Sequence, residues 1–137
     1  MPATLSTPLQ TRTYSDFNID FIPNPMTGDL TKVTGVNSVV QSIMNLVSTN
    51  HYERPFHPEI GGNVRKLLFE LVDPVTANLL SKEIQDVIAN FEPRATVLNV
   101  IVQTNNQQDG YNVTIVFTVA GGISTPISIQ TFLQRLR

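Results

Sequence analysis

The residues to search for a pair of carboxylates able to do acid–base chemistry are Glu59, Glu70, Asp73, Glu83, Asp86 and Glu92. Glycoside hydrolysis needs two carboxyl groups about 5 to 9.5 Å apart, one carrying a proton and one ionised. Glu83 and Asp86 lie three apart on the outer face of a predicted helix, where a solvated charged surface is the plain explanation. His51 and His57 flank Pro55 at a spacing that does not suit paired helical metal ligands, and the chain has no cysteine. No metal, disulfide or cofactor is therefore expected. Gly61-Gly62 and Gly121-Gly122 lack the spacing of a phosphate cradle, and no serine nucleophile motif occurs.

Two further groups of residues could make contacts in place of reactions. Glu92-Pro93-Arg94 fixes two charges on a backbone pinned by proline. On its residues alone it is either an ordinary helix terminator with a surface ion pair or a rigid docking point. Arg54-Pro55-Phe56 lies in the segment HYERPFHPEIGG, whose prolines and glycine pair break regular structure; Phe56 is either a plug into the core or a contact for a partner.

The elements that must position these residues follow from periodicity. Val36, Val39, Val40, Ile43, Leu46 and Val47 recur at spacings of three and four and predict a helix over 36–49. Asn63 offers an N-cap for a short helix to about Leu71, and Asp73-Pro74 reads as N-cap and first position of a helix running to Phe91. Pro93 ends it. The period then falls to two: Leu98, Val100 and Val102 alternate with Val97, Asn99 and Ile101, and Tyr111 to Val119 alternates more cleanly. The polar stretch TNNQQDG between them, with its Asp109-Gly110 turn signal, predicts an antiparallel hairpin. Ile123 to Leu133 reads as a third strand or an extended tail. Residues 1–34, rich in proline yet carrying Tyr14, Phe17, Ile19, Phe21 and Ile22, show no sustained period and read as an extended arm that packs on its own domain or on a neighbour. The expectation is an α+β fold: an arm over 1–34, then one domain over 35–137 with about three helices covering one face of a small antiparallel sheet. Val40, Ile43, Val47, Leu68, Ile84, Ile88, Val100, Ile115 and Phe117 are the expected core.

Composition excludes several function classes. A net charge of -2 with nine scattered basic residues gives no stripe that could neutralise phosphates, so no direct nucleic-acid binding is expected. No run approaches the roughly 20 apolar residues of a membrane span, and the first residues lack the apolar core of a signal peptide, so the chain is expected to stay in the cytoplasm where it is made. At 15% charged residues, much of the surface must be built from neutral polar groups, which suits permanent partners.

The ordered set Arg54-Pro55-Phe56-His57-Pro58-Glu59-Ile60-Gly61, Leu68-Phe69-Glu70 and Glu92-Pro93-Arg94 resembles the baseplate wedge family of contractile-tailed phages, the sheath initiators, sometimes labelled lysozyme-like. The resemblance covers about residues 36–137, and Tyr14 to Phe17 with Asn24 to Asp29 also look like wedge proteins of large myoviruses. It implies a structural, non-enzymatic subunit of the virion tail baseplate, in six copies around the tube, with counterparts in type VI secretion systems and phage-tail-like bacteriocins. It further implies docking on the wedge core bundle through Glu92, Pro93 and Arg94, with Arg54, Pro55 and Phe56 at a partner surface. The C-terminal strands, with Ile127 and Ile129 setting the register, would pair with the tail sheath protein. The alternative is a peptidoglycan-cleaving enzyme using Glu59, Glu70 or Glu92.

Overall fold

The computed structural model describes residues 14–121 and 125–137. Helix α1 spans Val36–Ser48, α2 Val64–Leu67 and α3 Pro74–Phe91. The start of α3 follows from its sequence: the Asp73 carboxylate accepts the Thr76 N–H at 2.6 Å, and Pro74 occupies a position whose N–H would have no helical partner. One face of α3 buries Ala77, Leu80, Ile84 and Ile88. In α1 the buried stripe is Val39, Ile43, Leu46 and Val47. Val40, expected in the core, lies on the flank of that stripe and is only half-buried; the other expected core residues are buried in one cluster. Helix α2 starts where expected but ends at Leu67, short of the Leu71 that its apolar spacing predicts, and the Asn63 side chain makes no cap. The Asn63 backbone N–H instead donates to Glu83 at 2.7 Å, which gives Glu83 a structural role beyond a solvated face.

Three antiparallel strands, β3 (Ala95–Asn105), β4 (Gly110–Val119) and β5 (Ile127–Gln134), form a sheet in the order β3-β4-β5. Ile115 at its centre faces Val100 on one side and Ile129 on the other. Tyr111, Val113, Ile115 and Phe117 point into the core as alternation predicts, and α3 covers that face, with α1 and α2 packed on α3. Alternation fails at one place. The register slips between Val97 and Asn99, so Leu98 is an extra residue, exposed, while Val97 turns inward beside Val100 and Val102. A bulge inverts the parity of everything on one side of it. The segment read as a third strand or tail is a strand over 127–134; residues 122–124 lie outside the described residues.

The arm carries more pairing than its sequence period indicates. Within its described part, β1 (Ser15–Phe17) pairs antiparallel with β2 (Lys32–Thr34), and Pro23 bridges Leu30, so residues 15–34 form a hairpin; residues 1–13 lie outside the described residues. Among the described residues, no helix is long and apolar enough to cross a membrane.

Candidate functional site

Glu92 is the one carboxylate among the described buried side chains, 2% exposed at the end of α3. A buried carboxylate needs partners, and Pro93 supplies the turn that brings one back. Arg94 Nε lies 2.7 Å from Glu92 Oε1 and Nη2 lies 2.9 Å from Oε2, a two-pronged pair. Burial pushes the Glu92 carboxyl up, but the Arg94 guanidinium and the Ser42 hydroxyl outweigh it and hold Glu92 below the usual carboxylate range. The bond to Glu92 raises Arg94 in turn, against the pull of burial and with help from Asp16. The third nitrogen, Nη1, donates to Asp16 at 3.1 Å, and the guanidinium carbon sits 5.5 Å from the centre of the Tyr14 ring. Tyr14 donates its hydroxyl proton to the Ala120 carbonyl at 3.1 Å. The triplet therefore joins three pieces of chain: the end of α3, the base of the hairpin and the exit of β4. Sequence reasoning singled out Glu92 and Arg94, and Tyr14 to Phe17 through the resemblance, but not their meeting, since no local signal links Asp16 to Arg94, 78 residues apart. Pro93 is exposed, on the rim of a cleft with Gln85, Ala89 and Leu98.

Arg54, Pro55 and Phe56 are all exposed in the loop between α1 and α2. The loop is closed at its base, where Asn50 bridges Gly62, and across its middle, where the Tyr52 N–H donates to the Pro58 carbonyl at 2.9 Å. Phe56 is 96% exposed, which removes the core-plug alternative. Both Phe56 (φ 71°) and Tyr52 (φ 65°) hold left-handed backbone conformations that bulky side chains rarely adopt. His57 pairs with Glu59 at 3.1 Å, and that bond, after the backbone bonding of Glu59, keeps Glu59 below its ordinary value. Among the described residues, no cluster of acidic or histidine side chains could hold a metal.

Ile127 and Ile129 lie on β5, half-buried against the core, so they already fill their own sheet's inner face. The strand is fastened beyond its end: the Arg135 N–H donates to the Asp109 carbonyl and the Leu136 N–H to the Leu68 carbonyl, each at 2.9 Å. The structure thus brings Glu92 and Arg94 together and leaves Phe56 and the β5 isoleucines at two other places on the molecule.

Comparison with known proteins gives these features a context. The sequence is 34% identical over 74 residues to the baseplate wedge protein gp25 of Enterobacteria phage T4, a stretch covering 54% of this chain and 56% of that protein's length. Among solved structures, a chain of the anti-feeding prophage baseplate matches with a TM-score of 0.65 at 22% identity, covering 94% of this chain and 91% of that one. A Geobacter sulfurreducens protein provisionally named a tail lysozyme matches with a TM-score of 0.67 at 19% identity, over 74% of this chain and 91% of that one. A chain of a type VI secretion baseplate complex matches at 0.55 and 18% identity, over 72% of this chain and 93% of that one. At such identities these three show a shared fold. The sequence model of the family described as baseplate wedge protein gp25 matches residues 33–125, well over half of the chain, and the chain belongs to that family.

Proposed function

We propose that this chain is a structural subunit of a contractile-tail baseplate that docks on the wedge core bundle near Glu92-Pro93-Arg94 and starts the sheath by lending a sheet edge to a sheath subunit. The observation that carries the reading is the inequality of the two edges of the main sheet. The β3 edge is broken by the bulge at Leu98, and α3 takes up its Val100 carbonyl through the Ser81 hydroxyl at 2.8 Å. Strand β5 is regular over its whole length and pairs with β4 alone. An unbroken edge is the kind that accepts another chain's strand. Because β5 is fastened at Asp109 and Leu68, the chain serves as acceptor and keeps its own last strand in place. Six copies around the tube, and assembly in the host cytoplasm into the virion, belong to the same reading.

In this scheme Glu92 is an internal anchor and the partner meets exposed Pro93 and the outer edge of Arg94. The loop carrying Arg54, Pro55 and Phe56 gives a second contact.

Glu92 favours a structural role over hydrolysis: it is committed to a two-pronged pair with Arg94 that holds it below the usual carboxylate range against its burial, whereas a glycosidase acid must keep its proton near neutral pH. Sheath subunit incubated with the purified chain should polymerise without its usual lag, as followed by light scattering and electron microscopy. Lysines at Ser128 and Gln130, which charge the edge strand, should restore the lag. Equal nucleation by that variant would remove the strand-acceptor reading. Clearing of a peptidoglycan zymogram that disappears in Glu59→Gln or Glu70→Gln would favour the enzyme.

A further inference from the structure

The family match begins at residue 33, so the hairpin over 15–34 lies almost wholly outside it. This hairpin exposes Phe17, Ile19, Phe21, Ile22, Met26 and Leu30, with Met26 at 91%. So many apolar side chains exposed on one short excursion of chain mark an interaction surface.

The hairpin is also set in shape before any partner arrives. Asn18 accepts the Asp20 N–H at 3.0 Å, Asn24 accepts the Met26 N–H at 2.9 Å, and the Thr31 hydroxyl donates to the Ile22 carbonyl at 2.6 Å. Phe21 is held at φ 50°, with its N–H donating to the Asn18 carbonyl at 3.1 Å and its ring in solvent. Such a conformation is costly for an aromatic residue and persists where surrounding bonds enforce it. The base is tied to the domain through Tyr14 and Asp16, and the Gln41 amide donates to the Phe17 carbonyl at 2.9 Å.

Charge narrows the partner. Asp16 is occupied by Arg94, and Lys32 lies on the base strand, which leaves Asp20 and Asp29 as the charges of the outer part of the hairpin. We propose that the hairpin seats its apolar outer part in an apolar groove edged by lysine or arginine side chains on another protein of the same assembly. The proposal rests on the reading of the chain as a baseplate subunit and adds a contact independent of the Glu-Pro-Arg corner and the β5 edge. Opposite charge at the rim would speed encounter and fix orientation, while the buried apolar centre would hold the complex.

The test uses the full chain in assembling particles, with a photo-crosslinking phenylalanine analogue at Phe21 or Met26. The expected product joins this chain to one other baseplate protein, at a peptide containing apolar residues and Lys or Arg. The double substitution Phe21→Ser with Met26→Ser should leave the denaturant midpoint unchanged and cut incorporation by about tenfold or more. Asp20→Lys with Asp29→Lys should weaken incorporation further at low salt than at high salt. Cross-links confined to this chain or a second copy of it, or normal incorporation of the double serine variant, would overturn the proposal while leaving the β5 reading intact. Absence of the wild-type chain from purified particles would instead sink the baseplate reading and the proposal together.

Discussion

Arg94 spends three nitrogens on two carboxylates, two on Glu92 and one on Asp16, and keeps about a quarter of its side chain exposed. Replacing it with alanine strands a buried carboxylate. The expected loss is about 2 to 3 kcal/mol, below the roughly 3 to 5 of a fully buried pair because water reaches one side of the guanidinium. A denaturant midpoint for Arg94→Ala checks this. Lysine at the same place keeps the charge but cannot make the fork, and should recover only part of the loss. The pH dependence has a definite sign. Glu92 titrates lower in the folded chain than in the unfolded one, so its contribution is complete above its ordinary value near 4.5 and disappears as pH falls through the lower folded value. In Glu92→Gln the acid-side fall of the midpoint should be shallower than in wild type. The pairing of Glu92 with Arg94 was legible, since the proline between them forces proximity. The Asp16 contact was not, because only the tertiary fold brings the hairpin base to the end of α3.

Among the elements, helices announced themselves best. Thirteen residues of α1 and eighteen of α3 repeat their apolar spacing often enough to fix a face, and Asp73-Pro74 marks a start by chemistry alone. Phe117→Ala and Ile84→Ala remove side chains with no exposed surface and should each cost about 2 to 5 kcal/mol, read from denaturant midpoints. Val40→Ala, half-buried on the flank of α1, should cost clearly less than Val39→Ala. Strands of three residues are too short to show a period, which is why β1 and β2 were invisible in the sequence. The bulge was hidden for a different reason. Val97 and Leu98 are both apolar, and no local preference says which one faces the core. Gly62 illustrates packing that spacing cannot reveal: a methyl group there would collide with the Val87 side chain, so Gly62→Ala should destabilise by about 1 to 3 kcal/mol.

At the scale of the whole molecule, the described chain is a helical layer over a sheet whose two borders differ. Deleting Leu98 would remove the extra residue while leaving Val97 and Val100 on the inner face, because the bulge is what reconciles their parity. The shortened protein should stay folded, with a straighter β3 border able to pair. Concentration-dependent self-association in sedimentation velocity, absent from the wild type, is the expected result; a monomer at all concentrations would mean that α3 alone guards that border. The inequality of the borders has a consequence for polymer growth. A unit that accepts strands on both sides can be inserted anywhere in an array and copied without limit. A unit open on one side can occupy only a terminus, so in the proposed strand-acceptor role the broken border would make this sheet an end piece that gives polarity to the array growing from it.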